Sequence, residues 1–320
     1  MPLSITAISL ITALSLFFFY SWIWLKFKAK LTPKGAGVFL PLFLFLFGSY
    51  CEVSLIVLIN IFLIFIFTLI YWLDDMFELN SVIRLLVSFI SGILFTITQY
   101  YPVYEKNSFF AGIVISGIFF GIMNMILTNV ANFYDGEDLN ITLFILLAFI
   151  ALLLFGPIKN DWYSIIYLCL LFMLAFSILN ARPNFIYFGD SGSFAFSCIF
   201  VSILISIFND GKKIPIEVIL PFLLPLIDVF IVILFRIIKR ENLLSRNYFH
   251  IYQRLKGKYG GKYYLLPQIA NVFFCYIAIF LLNQYGIVNT NILLSSAVFI
   301  TFIFYWALHA FFLNYRFNNN

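Results

Sequence analysis

Asn129–Leu139 reads NVANFYDGEDL, an acidic and amide-rich stretch between two apolar runs. Asn129, Asn132, Asp135 and Asp138 recur at every third position. On one uninterrupted helix each such step turns about −60°, so the four would fan across half the cylinder. Gly136 is expected to end the helix, leaving both Asn on its last turns and both Asp in the mouth. Amide and carboxylate oxygens suit Mg²⁺, a hard cation that takes one or two carboxylates together with substrate phosphates. A polar loop held by Asx turns is the plain alternative.

Three further clusters carry chemistry. Asp74 and Asp75, in YWLDDMFELN, repel each other, so one should protonate readily or the pair should share a cation. A solvated helix end would also explain such a pair, although acid at a helix C-terminus opposes the macrodipole. Phe188–Ser193 reads FGDSGS before an apolar run, where two glycines let backbone approach an anion and a helix start favours phosphate. A turn with Asp190 as N-cap accounts for it nearly as well. Finally, RENLLSRNYFHIYQRLKGKYGGK sets His250 among Arg246, Arg254 and several lysines, a patch that attracts phosphate or anionic lipid. The chain has only one other histidine, His309. Asp228, inside an apolar run beside prolines, reads equally well as structure or as support for the site.

The elements that must position these groups are helices in a membrane. Of 320 residues, 63% are hydrophobic and 10% charged, with a mean hydropathy of +1.04, far outside soluble globular usage. Hydropathy suggests about eleven spans (ten if two merge): 4–25, 38–50, 53–72, 82–101, 109–128, 141–156, 162–180, 193–208, 216–236, 264–283 and 291–313. The first reads as a retained span without a cleavage site. Pro221 and Pro225 fall inside the ninth and should bend it. Cys51, Cys169, Cys198 and Cys275 lack ligand-like spacing and read as small buried hydrophobes.

Fifteen of the 19 Lys and Arg fall on one set of loops, and only Lys106, Lys159, Lys212 and Lys213 on the other. The rich side is therefore expected in the cytoplasm, with the N-terminus outside. Every polar cluster named above lies on that side. A transporter would place ionisable groups near the midplane, whereas gathering them at one face suits an enzyme with a cytosolic substrate.

The set TPKGAG (Thr32–Gly37), LDD (Leu73–Asp75), NxxNxxDGxDL (Asn129–Leu139), GDSGS (Gly189–Ser193), PLIDVFIVILFR (Pro225–Arg236) and HIYQRL (His250–Leu255) resembles the polyprenyl-phosphate N-acetylhexosamine-1-phosphate transferases, glycosyltransferase family 4. The match runs from about residue 30 to 256 within a single transmembrane domain, and HIYQRL looks closest to the O-antigen-initiating branch. The resemblance implies that a UDP-HexNAc or 6-deoxy-HexNAc donor meets undecaprenyl phosphate, releasing UMP and leaving an undecaprenyl-pyrophosphoryl sugar. It implies Mg²⁺, with Mn²⁺ as a substitute, held by Asp190 and Asn132. Asp74, Asp75, Asp135 and His250 are implied as catalytic. Asn129, Asp138, Phe188, Arg246 and Arg254 are implied around the substrate, Asp138 toward the uracil. Leu139 departs from the glycine usual at its position. The expected setting is the bacterial inner membrane, with membrane lipid as a partner, a homodimer left open and nucleic acid excluded. A phospho-MurNAc-pentapeptide transferase and a polytopic transporter or flippase are the competing readings.

Overall fold

The computed structural model describes residues 3–27, 32–77, 79–100, 110–242, 249–287 and 289–313. It divides into two compact units, Met1–Ile214 and Pro215–Asn320. The described residues form helices and no strands. Nine of these helices are long and apolar enough to cross a membrane, and Ala36–Tyr50 and Asn140–Phe155 are shorter apolar helices. The chain is a polytopic α-helical membrane protein, and each expected span coincides with one of these helices.

The first unit contains α1 (Leu3–Phe27), α2 (Phe39–Tyr50), α3 (Leu55–Phe77), α4 (Ser81–Tyr100), α5 (Phe110–Tyr134), α6 (Asn140–Phe155), α7 (Asn160–Asn180) and α8 (Gly189–Asn209). After Asp190, α8 carries no ionisable group except Cys198, and its residues are buried from Ser191 to Ile207. A helix apolar on every face must be enclosed, and here α3, α4 and α5 enclose it. In lipid, apolar faces gain little by meeting one another, so close backbone contact and polar links decide which helices pair. On α4 and α5, a Cβ on Gly92 would lie 2.6 Å from the Phe120 carbonyl, and one on Gly121 2.8 Å from that of Phe89. That closeness lets Asn124 reach across, donating to the Ser88 carbonyl at 2.8 Å and to Ser91 Oγ at 3.0 Å.

Several boundaries differ from the hydropathy reading, α5 running on to Tyr134 and α9 starting at Leu220, and two others share one reason. α3 continues past residue 72 to Phe77, and α8 starts at Gly189, four residues before 193. Hydropathy windows stop at charge, but these charges have partners inside the unit, so the helices run on through them.

The second unit contains α9 (Leu220–Ile238), α10 (Ile251–Tyr259), α11 (Leu266–Gln284), α12 (Thr290–Ala307) and a π-helical turn, Leu308–Phe312. The stretch read as a basic loop thus contains a helix, α10. Leu220, Leu223, Cys275, Ile279, Leu293 and Ala297 form its apolar core. The two prolines of α9 separate in role. Pro221 stands in the first turn, where a missing N–H costs nothing, so only Pro225 interrupts the helix. Pro225 cannot donate to the carbonyl of Pro221, and Gln268 of α11 donates to that oxygen instead, at 2.6 Å.

This pairing is testable. Gln268→Leu should lower stability in detergent by about 1–2 kcal/mol, since it strands a buried carbonyl. In a Pro225→Ala background, where residue 225 regains its N–H, the same change should cost clearly less. Equal costs in the two backgrounds, by thermal or denaturant unfolding, would refute the compensation.

Candidate active site

The site of the first unit is built on the start of α8. A helix leaves its first N–H groups without partners, and α8 begins inside the fold, where water does not supply them. Carboxylates from two other segments do. Asp75, near the end of α3, accepts from Asp190 N–H at 2.9 Å, from Ser191 N–H at 3.1 Å and from Ser191 Oγ at 2.8 Å. Asp135, just past the end of α5, accepts from Gly189 N–H at 2.5 Å. The anion that GDSGS was expected to receive is therefore the protein's own pair of carboxylates.

The glycines explain how those carboxylates come so close. Gly189 has φ +82°, and a Cβ there would lie 2.5 Å from Gly35 N and 2.7 Å from both Asp75 oxygens. Gly35 has φ +81°, and its own Cβ would lie 2.9 Å from Asp75 Oδ2. The TPKGAG stretch pairs with the residues before α8: Tyr187 N–H donates to the Pro33 carbonyl at 2.8 Å, and Gly37 N–H to that of Phe188 at 2.9 Å. A Cβ on Gly37 would collide with the Gly192 backbone. The two glycine motifs thus form one interlock with Asp75 inside it.

The adjacent acids of LDD diverge. Asp74 is 5% exposed and accepts from Leu79 N–H at 2.5 Å and from Arg84 Nη1 at 3.1 Å. The same Arg84 nitrogen meets Asp190 Oδ2 at 2.5 Å. A cation is shared, as the repulsion argument requires, but between Asp74 and Asp190. Arg84 is the functional residue that the sequence reading missed, having counted it only among loop charges. Its signal was a lone cation in the first turn of an otherwise apolar helix. Tyr71 fixes the Arg84 backbone by donating to its carbonyl at 2.6 Å, and stacks on Phe194 of α8 at 4.2 Å.

The acidic loop Asp135–Leu139 follows the end of α5 at Tyr134, as Gly136 suggested. Asn180, 1% exposed at the end of α7, holds it: Leu139 N–H donates to Asn180 Oδ1 at 2.6 Å, and Asn180 Nδ2 to the Ile186 carbonyl at 2.8 Å. Asn140 Nδ2 closes the loop onto the Tyr134 carbonyl at 3.0 Å. Leu139 has φ +63°, the left-handed conformation in which glycine would be unstrained. Burial pushes the Asp135 carboxyl well above the usual carboxylate range; Gly189 N–H opposes this, and Asp75 and Asp190 add to it. Burial, then the charges of Asp138 and Glu137, raise the Tyr187 phenol.

The remaining expected residues of this unit take separate places. Asn129 turns back on α5 and donates to the Met125 carbonyl at 2.7 Å. Asn132 is partly buried, and its amide has no hydrogen bond among the described residues. Asp138 is 8% exposed and lies within electrostatic reach of Tyr187. Phe188, expected against substrate, is fully buried, tilted against Phe176 at 5.1 Å and seated over Gly192. It packs the interlock and leaves no face for a ligand.

In the second unit, Asp228 is wholly buried and does for α10 what Asp75 does for α8. It accepts from Ile251 N–H at 3.2 Å and pairs with His250 Nδ1 at 2.9 Å. His250 N–H meets Gln253 Oε1 at 3.3 Å, the return half of a capping box. Asp228 thereby leaves its even footing and becomes the anchor of His250. Arg254 is partly exposed on α10, and Arg246 lies outside the described residues.

Residues 54–208 match the model of the family described as Glycosyl transferase family 4. Over that segment, just under half of its length, the chain is similar to the family. No curated protein shows a matching sequence. The match supports a polyprenyl-phosphate sugar-1-phosphate transferase in general, a family that implies a prenyl phosphate acceptor and a nucleotide sugar donor. The matched segment contains Asp74, Asp75, Arg84, Asp135 and Asp190, so the cluster is the family's part of the chain.

The donor set suits a hard divalent cation. Asp74 and Asp190 offer carboxylate oxygens close enough to share one guanidinium nitrogen. Among the described residues no group of three His, Cys, Asp or Glu could hold a metal alone. Mg²⁺ needs no such cage, because substrate phosphate and water complete its shell.

Two variants test the arrangement. Gly37→Ala should destabilise the first unit by about 1–3 kcal/mol through overpacking against Gly192, a loss that unfolding in detergent would register. Asp135→Asn should abolish turnover and yet raise the thermal midpoint at pH 7. Burial makes the folded Asp135 carboxyl hold a proton more tightly than the unfolded chain, where it ionises near pH 3.9. Wild-type stability therefore falls as pH rises above that value, and the neutral Asn escapes the loss. The variant's advantage should vanish at about pH 4; a variant no more stable than wild type at pH 7 would contradict the raised carboxyl.

Proposed function

We propose that the chain transfers HexNAc-1-phosphate, or its 6-deoxy relative, from a UDP donor to undecaprenyl phosphate with Mg²⁺. The reaction would take place at the cytoplasmic face of a bacterial inner membrane, as the first membrane step of O-antigen or another surface polysaccharide. One observation carries this reading: Asp74, Asp75, Asp135 and Asp190 converge on one helix start, with Arg84 shared between Asp74 and Asp190 and Lys34 within electrostatic reach of Asp135. Ionised, the four outweigh those two charges, and a diphosphate would be repelled unless a divalent cation entered with it. The ends of α3 and α5 and the starts of α4 and α8 all meet there. Among the described residues the opposite ends carry Asp210 with Lys159 at 2.7 Å and Lys212 at 3.8 Å, and Asp161 accepting from Ser54 N–H at 3.2 Å, with no comparable cluster of carboxylates. A solute pathway would need polar groups along the spans, and this one-ended cluster argues for chemistry instead.

In the proposed step an oxygen of the lipid phosphate attacks the sugar-linked phosphorus of the donor. A new P–O bond forms, the bond to the bridging oxygen breaks, and UMP leaves with that oxygen. Asp190 with Asp74, and the unbonded amide of Asn132, would hold Mg²⁺, which when bound offsets the diphosphate charge. Asp75 has three hydrogen bonds on its two oxygens, so its task is to position α8. Asp135 keeps a raised carboxyl beside the cluster and is the group suited to take the proton of a monoprotonated lipid phosphate near neutral pH. Arg84 orients Asp74 and Asp190 and lends a positive charge to the transferring group.

Purified protein given undecaprenyl phosphate and a panel of UDP-sugars should release UMP from HexNAc donors. Chelation should stop the release and Mg²⁺ restore it. Asp190→Asn should reduce turnover by about 100-fold or more while the fold persists. No UMP from any donor, together with solute flux in liposomes, would sink the enzyme reading. Unchanged turnover in Asp190→Asn would remove Asp190 from the metal site.

A further inference from the structure

Lys34, in the TPKGAG stretch before α2, sets an exposed side chain on a tightly held backbone. Its neighbours are bonded to the residues before α8: Tyr187 N–H donates to the Pro33 carbonyl at 2.8 Å, and Ala36 N–H to that of Tyr187 at 3.3 Å. Its own carbonyl accepts from the Tyr20 hydroxyl of α1, and Trp72 Nε1 of α3 donates to that same hydroxyl at 3.2 Å. Tyr20 is 7% exposed and packs edge-on to Phe39 at 5.2 Å, so its ring has little freedom to move. Trp72 also closes over Gly35, where a Cβ would lie 3.0 Å from the indole. Gly35 is the residue that packs against Asp75 and Gly189. The base of the Lys34 side chain is therefore fixed one residue from the acid cluster, and Lys34 lies within electrostatic reach of Asp135. Among the described residues, its ammonium nonetheless has no hydrogen bond and no ion pair.

We infer that the Lys34 ammonium binds a phosphate oxygen of a substrate, either the diphosphate of the nucleotide sugar or the phosphate of the lipid, and that Tyr20 positions it; this rests on the transferase reading above. Arg84 is already engaged between Asp74 and Asp190, so an incoming phosphate needs a cation from elsewhere. A lysine ammonium is a compact charge with three donors on a flexible stem. With its base fixed, the stem searches a small volume, which limits the ordering cost of binding. Attraction to anionic headgroups asks only that a lysine stand near the membrane surface. It asks for no hydroxyl clamped on the lysine carbonyl from a separate helix, itself held by a third. Tyr20 and Lys34 both precede the segment that matches the family, so the match assigns them no role.

The test compares Lys34→Met, Lys34→Arg, Tyr20→Phe and the Tyr20→Phe/Lys34→Met double variant. Methionine removes the charge at similar length, whereas arginine keeps it. Lys34→Met should raise KM for a substrate about tenfold, with kcat changed less than about twofold and the thermal midpoint retained. A rise for the UDP-sugar assigns the contact to the diphosphate, and a rise for undecaprenyl phosphate assigns it to the lipid. Lys34→Arg should recover most of the loss, and added salt should narrow the gap between Lys34→Met and wild type. Tyr20→Phe should raise the same KM by less, and the double variant should be no worse than Lys34→Met, because the hydroxyl acts through the lysine. Unchanged KM for both substrates in a folded Lys34→Met, no rescue by arginine, or losses that add in the double variant would overturn the inference. If wild type releases no UMP from any donor, the transferase reading fails by itself. Inorganic pyrophosphate with Mg²⁺ then decides the lysine by thermal shift. A raised midpoint in wild type and Lys34→Arg but not in Lys34→Met upholds phosphate binding, and any uniform response overturns it.

Discussion

Everything in the first unit depends on a helix that starts where water cannot reach it. α8 is buried along nearly its whole length, so its first N–H groups need partners from within the protein. The partners are charged, Asp75 and Asp135, and their negative charge also complements the positive end of the helix dipole. Satisfying that demand draws α3, the α5–α6 loop and the glycine turn before α2 to one point. The carboxylates are thus gathered by backbone hydrogen bonding before any ligand arrives.

Gathering them raises a second demand. Several acids in a confined space with restricted water repel one another, and something must offset them. Arg84 does so in part, between Asp74 and Asp190, while burial first, and then the charges of Asp75 and Asp190, raise the Asp135 carboxyl. A place short of positive charge, formed from oxygens at fixed positions, is suited to a divalent cation carrying phosphate with it. The electrostatics of folding and those of the proposed transfer are therefore the same electrostatics.

Hydropathy revealed the spans because each helix meets lipid or apolar neighbours along most of its length, and the break at Gly136 was legible because it is local. What could not be read was pairing across distance. Asp75 and Ser191 are separated by 116 residues, and nothing near either names the other. Gly37 against Gly192, and Pro225 answered by Gln268, are likewise matches between remote positions, visible only once the helices are packed. Arg84 was hidden differently: it resembled one more cytoplasmic charge, and only the two carboxylates beside it distinguish it. Leu139 stands where the resembling family usually has glycine. The structure shows the loop adopting the left-handed turn regardless, with Asn180 and Asn140 supplying hydrogen bonds that hold it.

The same device appears in both units, and it sorts the acids by what they are free to do. Asp75 receives the start of α8, and Asp228 receives the start of α10 together with His250. A carboxylate whose two oxygens already accept three hydrogen bonds, as those of Asp75 do, has little left to offer a substrate. In the proposed transfer Asp75 therefore serves as a fixed point rather than a reagent. In the LDD pair this assigns the two neighbours opposite work. Asp75 holds a helix, while Asp74, turned toward Arg84 and Asp190, belongs with the groups that can meet a cation and a phosphate. Adjacent in sequence and identical in chemistry, the two acids are divided by the direction each side chain takes when α3 meets α8.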